Sequence, residues 1–285
     1  MAVVNKKPGT IAFKIFAYAF CILLTVLSLF PFVIMLVNST RSSADIQQHA
    51  MSIIPGSFEK FSKNWSLLFG RGFNPLNGFK NSLIISVGST ACNVYFSTMT
   101  AFALVAYDWK LRKPFFTLIM AVLMIPAQVT SIGFYQFMYK IHWTNSYLPL
   151  ILPAIAAPTT VFFMRQYMIP SLPMEILQSA RIDGAGEFRI FNQIVLPMMK
   201  PAMATQAIFS FVTSWNQLFM PQILITKMDK YTMPMMVSLL NGDAYKTEYG
   251  CVYLGLFLTV VPILIAYFLL SKYIIEGVAL GGVKG

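Results

Sequence analysis

Residues 178–197 read QSARIDGAGEFRIFNQIVLP, a charged, glycine-containing stretch in an otherwise greasy chain. Of the 285 residues, 57% are hydrophobic and only 11% are charged, and the mean hydropathy is +0.66. A soluble domain carries roughly 25% charged residues, so this composition is that of a polytopic membrane protein. The net charge of +11 does not point to nucleic acid. Lys and Arg are spread through the segments between apolar runs and build no packed basic face. Cys21, Cys92 and Cys251 have no metal or redox spacing and read as small apolar residues packed among helices.

A spanning helix needs about 20 mostly apolar residues. Working outward from the polar stretch, six runs qualify: about 14–37, 81–106, 115–139, 146–168, 202–226 and 252–274. Lys6, Lys7 and Lys14 precede the first, but that run is long for a signal peptide and lacks a small-x-small cleavage site, so it reads as an uncleaved first helix. Pro126, Pro149, Pro153, Pro158, Pro221 and Pro262 interrupt the last four runs. Such prolines suit either simple kinks or a bundle around a path that opens. The second run is rich in Ser, Thr, Gly and Ala, the composition of an interior helix facing other helices.

Six spans put both termini on one side. Placing the N-terminus inside puts 12 of the 21 basic residues on the inner side, with the short 107–114 loop decisively basic. The expected topology has cytoplasmic residues 1–13, a transmembrane domain over 14–276 and a cytoplasmic tail over 277–285. The polar segment 172–200 falls in the cytoplasm, between the fourth and fifth spans. The outside receives 38–80, 140–145 and 227–250.

No Asp or Glu falls inside any of these runs, whereas ion-coupled carriers keep ionisable groups near the midplane. There is no G-x-x-x-x-G-K-[ST] phosphate loop, no H-E-x-x-H and no G-x-S-x-G. His49 and His142 stand far apart without partners, and no metal site is expected. A stand-alone carrier and a membrane enzyme are both disfavoured. The chain is expected either to be a passive pore or to take energy from another subunit.

Segment 172–200 reads as two short helices. Pro173 and Glu175 suit a first turn, with Ile176, Leu177 and Ala180 on one face. Asp183-Gly184 is a stop. A second helix begins near Gly186-Glu187 and carries Phe188, Phe191, Ile194 and Val195, and Leu196-Pro197 ends it. Amphipathic segments of this kind can lie on lipid or dock on a partner.

The segment resembles the E-A-A, three residues, Gly, nine residues, Ile-x-Leu-Pro pattern of permease subunits from binding-protein-dependent ABC importers. Here it runs through Gln178-Ser179-Ala180, Gly184 and Ile194 to Leu196-Pro197, with every spacing kept. The fuller carbohydrate-importer version matches at Ala180–Ala185, Phe191 and Pro201. "FEKFSKNWSLLF" at 58–69, "NSLIISVGST" at 81–90, "AFALVAYDWKLRK" at 101–113, "SFVTSWNQLFMP" at 210–221 and "GVALGGVKG" at 277–285 extend the likeness to the shorter permease of the maltose-type class. Gln178, Ser179 and Gly186 depart from the usual Glu, Ala and Ser. The loss of charge at 178 puts a salt bridge from that position in doubt.

The resemblance implies an all-α membrane fold with six transmembrane helices and a cytoplasmic coupling helix between the fourth and fifth, in a bacterial inner membrane. The implied partners are a second permease, two ATPases that use ATP and Mg, and an external sugar-binding protein. The implied ATPase-docking residues are Glu175, Gln178, Ser179, Ala180, Arg181, Asp183, Gly184 and Ala185. The second helix would act as a lever on the fourth and fifth spans. Sugar sites favour aromatic faces with amides and hydroxyls, which makes Gln128, Tyr135, Gln136, Trp215, Asn216 and Gln217 candidates for the substrate path, with ordinary interhelical packing as their alternative. A glycerol phosphate or polyol substrate remains open.

Overall fold

The computed structural model describes residues 8–70, 74–240 and 248–282. Every long regular element among them is helical, and no strand occurs. In chain order the helices are α1 (Pro8–Ser39), α2 (Ser43–Gln48), α3 (Phe58–Gly70), α4 (Pro75–Ala106), α5 (Arg112–Val122) and α6 (Ala127–Lys140). There follow α7 (Leu148–Ile151), α8 (Pro158–Ser171), α9 (Met174–Ile182), α10 (Glu187–Ile190) and α11 (Leu196–Met198). The chain finishes with α12 (Lys200–Trp215), α13 (Phe219–Leu224), α14 (Met233–Leu240) and α15 (Tyr249–Gly282). Of the expected N-terminal segment, residues 1–7 lie outside the described residues, as do 241–247 of the 227–250 segment and 283–285 of the tail.

Among the described residues, three helical stretches are long and apolar enough to cross a membrane: Phe13–Ser39, Leu148–Ser171 and Tyr249–Leu269. Glu187–Met198 and Lys200–Trp215 make a fourth if that pair, bent by 81°, counts as one span. At 1.5 Å per residue, the 32 residues of α4 reach about 48 Å, but its many hydroxyls lower its hydropathy. The runs expected at 115–139, 146–168 and 202–226 are each split. Pro126 stands before α6 with extended backbone. Pro158 opens α8 as an N-terminal proline. Pro221 has no N–H for the carbonyl of Gln217, so α12 cannot run on through α13.

The helices belong to two compact units. One comprises the described parts of 1–73 and 237–260, the other those of 74–236 and 261–285. In the first, the C-terminal end of α1 is closed by side chains. Asn64 of α3 donates through Nδ2 to the carbonyls of Ser39 at 2.8 Å and Arg41 at 2.9 Å, groups the helix itself leaves without partners. Arg41 is buried and donates to the His49 carbonyl at 2.7 Å. Asn38 donates to the Ala50 carbonyl at 3.1 Å. Gly250, at the start of α15, lies so close that an added Cβ would stand 2.3 Å from Asn64 Nδ2.

In the second unit α4 is the central helix, packed by α8 and α12. Asn74 caps its start by accepting from the Asn77 amide, and Pro75 fits its first turn. Small residues allow the close approach. A Cβ on Gly88 would meet the Ile151 side chain at 3.1 Å, and Ala101 is fully buried. Two turns are tied together through Asn145, whose positive φ of 56° aims its Oδ1 at the amides of Thr226 and Lys227, at 2.7 and 3.0 Å. Arg165, which the sequence places at a span end, lies over the Phe116 ring at 4.3 Å from its centroid.

Replacing Asn64 by Leu is expected to leave the Ser39 and Arg41 carbonyls without their donor and to destabilise the first unit by on the order of 1–3 kcal/mol. Thermal unfolding of the detergent-solubilised protein checks this, and an unchanged midpoint would contradict it.

Candidate functional site

The 172–200 segment is seated on the second unit by an apolar seam. Leu177, Ile190, Val195 and Met199 are fully buried and Phe191 nearly so. They pack with Ala101, Phe102 and Ala106 at the end of α4 and with Met164 and Met168 of α8. The Phe191 ring lies 5.7 Å from that of Phe102 and meets Tyr95 edge-on at 5.5 Å. Each fully buried side chain of this size contributes about 1.5–3 kcal/mol when removed from water. The face expected from the sequence needs correcting at two positions. Phe188 is 71% exposed and Ile176 43%, and the inward place beside Phe191 belongs to Ile190.

Local chemistry shapes both helices. The Gly184 amide donates to the Arg181 carbonyl and the Ala185 amide to the Ala180 carbonyl, each at 3.0 Å. With Gly184 at φ +77°, this is a Schellman motif closing α9. Its accompanying apolar contact comes from Ala180 and Ala185, both packed on the seam. Gly186 then stands extended before α10. A π-helical turn over Phe191–Val195 precedes Pro197, whose missing N–H and ring exclude the regular bond to the Gln193 carbonyl. With Pro201 in the first turn of α12, this is where the chain turns by 81°.

A polar cluster ties the segment to α4. Arg181 donates from Nε to Glu187 Oε1 at 2.7 Å and from a terminal nitrogen to Oε2 at 3.2 Å. Tyr107, the residue after α4, donates its hydroxyl to the same carboxylate. The Arg181 guanidinium lies 5.3 Å from the centroid of the Tyr107 ring. The Arg181 bonds and then the Tyr107 bond hold Glu187 below its ordinary value of 4.5. Partial burial, then the bond to Glu187, pushes the Tyr107 hydroxyl up, so it stays a donor. A depressed carboxylate stabilises the fold above its unfolded value, and that contribution fades as pH falls through the folded one. The cluster therefore stays intact at neutral pH.

Of the residues expected to dock, Glu175, Gln178, Ser179, Asp183 and Gly184 are exposed. Arg181 is instead turned back onto Glu187, and Ala180 and Ala185 are partly buried. The exposed surface also carries Ile182, 86% exposed.

The second unit holds an open cavity of about 630 Å³ lined by residues of α4, α6, α7, α8, α12 and α13. Its lining is mixed: Ser82, Ser89, Asn93, Gln206, Ser214 and Gln217 bring hydroxyls and amides between apolar walls that include Ile85, Phe134, Leu150 and Phe209, and no charged side chain lines it among the described residues. Asn93 Oδ1 and Thr232 Oγ1 are buried without a hydrogen-bond partner among the described residues. Of the six residues expected on the substrate path, only Gln217 lines this cavity. Trp215 is 1% exposed and stacks on Phe211 at 5.6 Å. Gln128, Tyr135, Gln136 and Asn216 lie exposed, with Tyr135 against Tyr139. The missed residues had a signal. Ser82, Ser86, Ser89, Asn93 and Ser97 repeat at three- and four-residue spacing, one stripe of a helix.

Nothing lies within 4 Å of a Cβ built on Gly184, so its demand is conformational and not steric. Gly184→Asn is expected to keep the cap, since Asn tolerates the left-handed region, and Gly184→Val to weaken it by about 1–2 kcal/mol. Thermal unfolding of the two detergent-solubilised variants, compared with the wild type, checks this.

Residues 93–277 match the family described as binding-protein-dependent transport system inner membrane component. The chain is 35% identical over 259 residues to the arabinooligosaccharides transport system permease protein AraQ of Halalkalibacterium halodurans, covering 91% of this chain and 92% of that one. It is 29% identical over 267 residues to the sn-glycerol-3-phosphate transport system permease protein UgpE of Yersinia pestis, covering 92% and 95%. Its fold is similar to a chain in the crystal structure of a bacterial ABC transporter involved in the import of the acidic polysaccharide alginate. The TM-score is 0.78 at 19% identity, over 95% of this chain and 100% of that one. A Gly184 turn seated on α4 and α8, a cavity without a charged lining and a family match over most of the length agree: the chain belongs to the inner membrane components of binding-protein-dependent transport systems.

Proposed function

We propose that this chain is the permease subunit of an ATP-driven sugar importer, forming half of the translocation path. The observation that carries the proposal is the 172–200 segment. Its buried apolar residues pack against α4 and α8, while Glu175, Ile176, Gln178, Ser179, Ile182, Asp183 and Phe188 stay exposed. A helix pair lying on lipid would present the apolar side outward. This one keeps a mixed polar and apolar surface, the composition of a protein–protein contact. The partner is a pair of cytoplasmic ATPases that use ATP and Mg, with α9 as the coupling helix. A second permease and an external binding protein complete the assembly.

Six spans fit the helices: α1, α4, α5 with α6, α7 with α8, α12 with α13, and α15. Both termini and α9 are then cytoplasmic, in keeping with the basic 107–114 loop. The cavity supports a neutral, polyhydroxyl substrate. Unpartnered Asn93 Oδ1 and Thr232 Oγ1 are acceptors for sugar hydroxyls, and Gln206 and Gln217 offer both donors and acceptors. An oligosaccharide such as the AraQ relative's name describes suits that lining. The second reading, a glycerol phosphate, is favoured by the UgpE relative but would bring a charge of −1.5 to −2 into a lining without a cation.

The test is uptake in cells lacking their own permease and supplied with this chain, its companion permease, ATPase and binding protein. Labelled arabinooligosaccharide and labelled sn-glycerol-3-phosphate are compared. Uptake of the oligosaccharide that stops when the ATPase is inactivated is the expected outcome. Uptake of glycerol phosphate alone would favour the second reading, and uptake that survives ATPase inactivation would overturn both.

A further inference from the structure

The apolar seam under the 172–200 segment holds it in place but leaves its angle loosely specified, because hydrophobic contact is non-directional. The polar cluster beside it has direction. The two-pronged bond from Arg181 to Glu187 fixes α9 against the first residue of α10. The Tyr107 hydroxyl fixes that same carboxylate to the residue that follows Ala106, the last of α4. The guanidinium over the Tyr107 ring closes the triangle, so each member touches both others.

We infer that Arg181, Glu187 and Tyr107 form a clamp that makes α4 a direct output arm of the docking segment. The inference rests on the importer function proposed above. Movement of α9 then reaches the cavity along two routes. One is the chain itself, through Pro197 into α12. The other is the clamp, through Tyr107 into α4. The second is the stiffer route. The chain path passes a π-helical turn and an 81° bend, whereas α4 is one continuous helix. It carries the clamp beside its last residue and Ser82, Ser89 and Asn93, all lining the cavity, further up its length.

An exposed ion pair by itself contributes little to stability, and both partners here are partly solvated, with side-chain exposures of 33% and 48%. The clamp's function is positional. A planar fork bonded through two nitrogens fixes an angle that a lysine or an apolar contact would leave free. Tyr107 and Glu187 are positioning residues, since neither lines the cavity and neither lies on α9.

The experiment uses the complete transporter in proteoliposomes, with sugar uptake and ATP hydrolysis measured together for the wild type, Glu187→Gln, Tyr107→Phe and the double variant. Retention of the ATPase on purification is recorded for each. The expected result is ATPase retained and hydrolysis continuing in all variants. Sugar moved per ATP should fall roughly fivefold in Glu187→Gln, the lower end of coupling between linked sites. The double variant should be no worse than Glu187→Gln alone, as for residues acting as one unit. An unchanged sugar-to-ATP ratio would overturn the clamp. So would a parallel loss of uptake and hydrolysis, a loss of bound ATPase, or additive effects of the two substitutions. If the wild-type chain itself retains no ATPase, the importer function fails, and that result is distinct from all of these.

Discussion

The burial of Leu177, Ile190, Phe191, Val195 and Met199 against the ends of α4 and α8 is the constraint on which the rest depends. It takes a segment that is polar by composition and seats it on the membrane helices. With Leu177, Ile190, Phe191, Val195 and Met199 consumed inward, the surface left outside is set by the remainder: carboxylates, amides, a hydroxyl and the exposed Ile176, Ile182 and Phe188. The Gly184 turn, the π-helical turn and Pro197 then follow as the means by which a short chain meets that seam twice, once from each side of the turn.

The same helix that anchors the seam supplies the cavity. α4 has two kinds of surface along its length. Near its C-terminal end Ala101, Phe102 and Ala106 pack the 172–200 segment, while Ser82, Ser89 and Asn93 line the cavity. Ser86, Thr90 and Ser97 carry buried hydroxyls without partners among the described residues. In a membrane interior such groups are costly unless satisfied. A stripe of them is informative in a helix whose small residues would otherwise suggest packing alone.

Much of this was legible in the sequence. Segment 172–200 could be read as two short helices around a left-handed glycine, because Pro, Glu and Gly have positional chemistry that survives any context. The long apolar runs of α1 and α15 were readable for the same reason. The lining of the cavity was not. Trp215 and Gln217 are two residues apart, yet one is packed against Phe211 and the other lines the cavity, since the end of α12 between them redirects the chain. Asn93 and the serines of α4 were visible as composition but not as a lining, because which face of a polar helix meets a void depends on its neighbours.

By itself the sequence determined that the chain is a membrane protein without its own phosphate loop or catalytic cluster, and that a glycine-hinged helix pair interrupts its apolar runs. Hydropathy, motif spacing and backbone chemistry are local properties and can be read locally. Only the tertiary structure decided that Phe188 faces out while Ile190 faces in. It alone decided that Arg181 turns back to Glu187 and Tyr107 and not outward, and that α4, α6, α8 and α12 among others line a cavity with no charged side chain among the described residues. Tyr107 and Glu187 are 80 residues apart in the chain. No periodicity links them, and only the packing of α4 beneath the segment brings one hydroxyl to one carboxylate.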